Sequence, residues 1–140
     1  MKDYIPHKDR AKRIASAKTA ITALLPLNLY LSHKRELLSA CIWKITEADG
    51  KKNLRYWSEG ALKTDNPKEL IHEHVFERKE LISRLLNGEN IEIVTSDAIA
   101  CIVTKSEHKI LTTSELSGWK RYKDCNIRVY DLVQKDWSKL

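Results

Sequence analysis

From Asp9 to Leu25 the apolar positions Ala11, Ile14, Ala15, Ala17, Ile21 and Leu24-Leu25 recur at helical spacing, and Pro26 ends or kinks the helix they predict. Ser32 as N-cap, with Glu36 near the first turn, predicts a second helix through Leu37-Leu38 toward Cys41. From Cys41 the pattern turns to strand. Ile42-Trp43-Lys44-Ile45-Thr46 and Leu54-Arg55-Tyr56-Trp57-Ser58 flank Ala48-Asp49-Gly50-Lys51, and Asp-Gly between two such runs predicts a β-hairpin. Lys63 to Lys68, with Asp65-Asn66-Pro67, reads as a loop, and His72-Glu73-His74-Val75 reads as a strand. Glu77 to Leu86 carries Leu81, Ile82, Leu85 and Leu86 on one side of a predicted helix, closed by Asn87-Gly88. Ala98 to Val103 suits a buried strand. Thr104 and Glu107 then form a capping box, which puts His108 in the first turn of the next helix. The last third offers a short helix at Trp119 to Lys123 and a strand, Ile127-Arg128-Val129-Tyr130.

The order of these elements predicts an α+β fold in one domain, 1–140. It comprises a basic helical segment over 1–40, a hairpin over 41–62, a ββα-like segment over 70–115, and a C-terminal helix and strand over 116–140. A chain of 140 residues, 42% hydrophobic and 31% charged, has enough apolar side chain for a core of its own. The apolar run Ala20 to Leu31 is broken by Thr22, Pro26 and Asn28, far short of the ~20 residues of a membrane span, so a cytoplasmic protein without membrane contact is expected. Cys41, Cys101 and Cys125 are scattered among apolar residues with no CxxC pair. They read as free thiols, not as a zinc knuckle or a disulfide scaffold.

Charge adds a class of partner. The net charge is +6, and Lys2, Lys8, Arg10, Lys12, Arg13 and Lys18 crowd the start against Asp3 and Asp9. A second basic group, Trp119-Lys120-Arg121-Tyr122-Lys123, mixes cations with rings. Such patches attract polyanions, which makes Lys12, Arg13, Lys120, Arg121 and Lys123 candidate contacts to nucleic acid, whereas a solvated helix face is the plain alternative. Trp43, Trp57 and Trp137 read as packing residues. Trp119, set among cations, is the one candidate stacking platform.

The densest chemistry lies in His72-Glu73-His74 and in Glu107-His108: three of the five histidines, each beside a glutamate. His7 and His33 read as surface residues. A strand ending in an acid-histidine pair, then a strand running into a helix with another histidine, resembles the HNH (His-Me finger) endonucleases over residues 70–111. The resemblance implies that His74 is the general base for water, while Glu73 and His108 hold one divalent cation, Mg, Mn or Zn. Asp97 or Asn90 would stand in for the family's central asparagine, and Arg78 would lie near the scissile group. It further implies a metal-dependent endonuclease acting on DNA. With two strands to cut, such an enzyme would work as a homodimer or with a partner protein. Size and charge would suit a phage, plasmid or host-defence setting.

Strand geometry opens a second assignment. On a regular strand His72 and His74 share a face and Glu73 points away, and with His108 that gives a three-histidine site resembling catalytic zinc. The nuclease assignment instead needs Glu73 and His74 to converge at a kink or strand end. A non-catalytic nucleic-acid- or protein-binding module, such as an accessory subunit or inhibitor, is the alternative from another class, and structural histidines account for the cluster without any site.

Overall fold

The computed structural model describes residues 2–140. Its first helix, α1 (Arg10–Leu24), buries Ala17 and Ile21 with Ile14 and Leu24 alongside, so the helical stripe faces a core as its spacing dictates. The second, α2 (Leu31–Thr46), starts one residue before the expected cap, with Tyr30 at the N-cap position, and runs five residues beyond Cys41.

That extension corrects the predicted hairpin over 41–62. Ile42 to Thr46 is helical because Leu38, Ile42, Ile45 and Thr46 stand at i, i+4, i+7 and i+8 and are all buried on one face. Tertiary packing overrides the β-branched composition of the run. Asp49-Gly50 is then the turn that leaves the helix, with Gly50 at φ 107°, not a hairpin tip. Asp49, 8% exposed, also ties down the N-terminal segment, accepting hydrogen bonds from the Tyr4 hydroxyl (2.6 Å) and the His7 amide (2.8 Å) and pairing with Arg10. Burial, then the carboxylate it bonds, pushes the Tyr4 hydroxyl up to about 12.

Only the second half of the expected hairpin is a strand. This is β1 (Tyr56–Ser58), followed directly by the short helix α3 (Glu59–Lys63), which the Ser58 hydroxyl caps. After a single 3-10 turn at Pro67–Glu69 come β2 (Leu70–His74), α4 (Arg78–Leu86), α5 (Ile91–Ser96), β3 (Ala100–Thr104) and α6 (Lys105–Leu111). The chain ends with α7 (Trp119–Asp124), β4 (Val129–Asp131) and β5 (Asp136–Trp137). The expected α+β class holds. Among the described residues no helix is long and apolar enough to cross a membrane.

The five strands form one sheet in the order β2-β3-β1-β4-β5, antiparallel except for β1 beside β3. Alternation along the strands separates two cores. Cys101, Val103 and Val129 pack with Leu111 and Tyr122 on the face covered by α6 and α7. Trp57, Ala100 and Ile102 pack with Leu54, Ala61 and Leu132 on the other. A third core, Ala17, Ile21, Leu38, Ile42, Leu81, Leu85 and Val94, joins α1, α2, α4 and α5 without the sheet.

Two contacts fix the helices next to β2. Glu107, the N3 residue of the α6 capping box, also accepts from the Ser58 hydroxyl (2.5 Å), which locks α6 to the β1–α3 junction. Gly118, the N-cap of α7, sits at φ 65° in close contact with Phe76, and a Cβ there would lie 2.5 Å from the ring. Gly118→Ala should therefore lose about 1–3 kcal/mol from backbone strain and overpacking together. Urea denaturation of the variant checks this, and wild-type stability would show that Phe76 moves aside freely.

Candidate functional site

Strand β2 runs straight through His72-Glu73-His74 without a kink, pairing His72 with Ile102, Glu73 with Cys101 and His74 with Ala100. Glu73 consequently projects to the α6–α7 face, and His72 and His74 project together to the opposite one. His108, in the second turn of α6, meets Glu73: its Nδ1 stands 2.6 Å from Glu73 Oε2. The strands thus bring together one expected pair, Glu73 and His108, and separate it from His74. Neither the Glu73-His74-His108 constellation nor the three-histidine one forms: the first needs side chains from both faces of β2, and the second needs His108, which sits on the Glu73 face, to meet His72 and His74 across the sheet.

Glu73 is 5% exposed and its second oxygen is also engaged. Arg121 Nη2 donates to Oε1, and the same nitrogen donates to the carbonyl oxygens of His74 (2.8 Å) and Val75 (3.1 Å). Arg121, expected as a surface contact to nucleic acid, is instead 4% exposed. It falls on the buried stripe of α7 with Gly118, Tyr122 and Cys125 at i, i+3, i+4 and i+7, and that spacing was the signal for its inward position. A carboxylate beside a buried counter-ion needs no further charge, so a divalent cation does not fit this centre: Arg121 and His108 hold both oxygens, and the guanidinium repels a second cation. Among the described residues no group of three or more His, Cys, Asp or Glu is arranged to hold a metal ion.

Opposite them, His74 lies nearly parallel to Trp43, ring centroids 5.0 Å apart, with His72 4.8 Å from Trp43 and 5.4 Å from His74. Arg78 stands 5.0 Å from the Trp43 ring and donates to Ser39 Oγ (3.1 Å). The neutral His72 ring donates from Nδ1 to the Lys51 carbonyl (2.7 Å), and burial lowers its pKa. Both ring nitrogens of His74 are sealed from solvent with no hydrogen-bond partner. Burial, then the nearby charge of a protonated His72 and of Arg78, brings its pKa down to about 3. A general base must reach the proton it takes, and His74 in this position reaches none.

The remaining expected residues are spread around the molecule. Asn90 caps α5, an element the sequence pattern did not announce, and Asp97 accepts from Arg84 (2.7 Å), so both serve local structure. Lys12 and Arg13 are exposed on α1, with Arg13 donating to the Ala48 carbonyl (3.0 Å), while Lys120 and Lys123 are exposed on α7. Trp119 packs edge-on against Tyr56 and Tyr122, its ring centroid 5.0 and 5.2 Å from theirs, not as an open stacking surface. All three cysteines are free, Cys101 fully buried and the other two half-buried. A cavity of 580 Å³ between α1 and α2 is lined by Arg13, Ala17, Cys41 and Lys44 and includes no residue of the Glu73 centre.

What the Glu73 centre offers chemically is an oriented imidazole. The buried carboxylate holds His108 through Nδ1, which leaves Nε2 without a hydrogen-bond partner among the described residues, and the side chain is 38% exposed. Lys105 and Lys109, exposed on the same helix, are in no ion pair among the described residues. No family model matches the chain, and no curated protein or solved structure is significantly similar to it.

Proposed function

We propose that this chain is a nuclease that hydrolyses phosphodiester bonds in DNA, with Glu73 and His108 as its working pair. The observation that carries the reading is the 2.6 Å contact between them, made across the strand–strand–helix unit of β2, β3 and α6. It supports the resemblance to HNH endonucleases in the placement of the acid and the helical histidine, though not in the placement of His74. In this reading His108 Nε2 takes the proton of the attacking water, which forms the new P–O bond as the bond to the sugar oxygen breaks, and that oxygen leaves as a hydroxyl with a proton from solvent. Glu73 keeps the imidazole oriented. Lys105 and Lys109 beside it draw in the phosphate, and Lys12, Arg13, Lys120 and Lys123 contact the backbone further off.

Plasmid nicking tests this. The purified chain is incubated with supercoiled DNA in EDTA and in Mg, Mn or Zn. His108→Ala should lose about 100-fold or more of the rate, the scale of one general acid–base group, whereas His74→Phe should keep most of it. Equal nicking by wild type and His108→Ala, or dependence on His74 alone, overturns the reading.

One observation favours a second reading, the non-catalytic nucleic-acid module. The sealed nitrogens of His74 remove the base that the resemblance supplies. A chain that nicks in no condition yet binds DNA with an affinity that falls steeply with salt fits that alternative.

A further inference from the structure

We infer that Arg121 is the resident cation of the Glu73–His108 centre, so that the centre assembles and works without a divalent metal ion. The oxygens around Arg121 carry the argument. One carboxylate and two main-chain carbonyls, those of Glu73, His74 and Val75, converge on a single guanidinium nitrogen. Three protein oxygens of this kind are what a hard cation such as Mg or Ca takes as ligands. Here Nη2 donates into that set instead, and a guanidinium stays charged at every pH at which the protein is folded. The fourth neighbour, His108 Nδ1, takes the remaining oxygen of Glu73, so no donor of the set is free for a metal.

The surrounding packing holds Arg121 in that place. Its side chain is 5% exposed. Gly118, three residues before it, allows α7 to approach Phe76 closely enough that a Cβ would collide with the ring, which brings the guanidinium under the end of β2. Swinging Arg121 out to admit a metal would break its hydrogen bonds to Glu73 and to the His74 and Val75 carbonyls together. The arrangement is set by packing and does not depend on the loading of an ion.

The inference rests on Glu73 and His108 being the working pair, and its test asks only whether a cation enters, so a failed nuclease assay and a failed metal exclusion are read apart. The full wild-type chain, dialysed against EDTA, is titrated with Mn while the ring protons of His108 and of exposed His33 are followed by NMR. The expected result is no broadening at His108 beyond that at His33, and a melting temperature unchanged by Mg, Mn or Zn. Selective broadening of His108 that disappears in Glu73→Gln overturns the inference. Comparing Arg121→Lys with Arg121→Met adds a charge-specific readout. The lysine variant should recover a large part of the melting temperature that the methionine variant loses, and two variants melting together would show that packing, not charge, is what Arg121 supplies. If the wild type nicks DNA, EDTA should leave the rate within about twofold. A rate abolished by EDTA and restored by Mg counts against resident-cation chemistry, whatever the stability data show.

Discussion

Arg121→Met should destabilise the fold by about 3–5 kcal/mol, the cost of leaving a buried carboxylate without its counter-ion. Methionine fills the arginine stem's volume, so the loss reports charge and hydrogen bonding more than a cavity. Glu73, at 5% exposure, would keep only His108, and the carbonyls of His74 and Val75 would lose their shared donor. Combining Arg121→Met with Glu73→Leu should restore much of the stability, because replacing both members of a buried ion pair by apolar groups is often near neutral. Recovery should stay incomplete, since the two carbonyls still lack the guanidinium. A double-mutant cycle by urea denaturation measures the coupling. A loss under about 1 kcal/mol for the single variant, ordinary for a surface position, would remove Arg121 from its assigned place in the centre.

This centre shows how far the sequence could be read. The segments with strong local signals came through. The Thr104–Glu107 capping box places α6 as expected, and the stripe of Leu81, Ile82 and Leu85 defines α4. The β2–β3–α6 unit, from which the meeting of Glu73 and His108 follows, was legible in order though not in geometry. What failed was decided by packing between distant segments. Ile42 to Thr46 is β-branched and aromatic enough to read as strand, yet Leu38 and the helices around it pull the run into α2. Arg121 sat in a basic run that reads as surface, and only its position on the buried stripe of α7 predicts an inward turn. Whether Glu73 and His74 converge was a matter of backbone regularity. Five consecutive ladder pairs between β2 and β3 keep the strand straight, and straightness sends the two side chains to opposite faces.

That split gives the two faces different chemistry from one tripeptide. On the α6–α7 face a carboxylate is satisfied twice, by an arginine and a histidine from separate helices. On the other face two imidazoles are held neutral against Trp43. A carboxylate can afford burial only with partners, whereas an imidazole can be buried simply by staying unprotonated. The second face therefore ties stability to pH through imidazoles that must stay unprotonated.

Lowering the pH from neutral should destabilise the protein well before its carboxylates begin to protonate. His74 in the folded protein titrates at about 3, against an ordinary value of 6.5, because burial disfavours its charged form first, and the charge that His72 would carry once protonated and that of Arg78 add to it. The unfolded chain takes up its proton as the pH falls below 6.5, and the folded chain does not. The stability contributed by the neutral, stacked imidazole is thus fully present above that value and is lost as the pH falls toward the folded pKa, by up to about 1.4 kcal/mol per pH unit. At a pH of about 5 the loss from His74 alone approaches 2 kcal/mol. His72, lowered in the same direction by burial, steepens the slope. Lys51 and Lys52 on the loop beside them add like charge, while Glu47 partly offsets it. His74→Phe keeps a flat ring against Trp43 but has no proton to bind. Its unfolding free energy should change less with pH than that of the wild type between 6.5 and about 5, above the range in which Asp131 and Glu59 begin to matter. Parallel pH profiles for the two proteins would mean that the ring of His74 is reached by water in the folded state, and that its nitrogens are free to exchange protons after all.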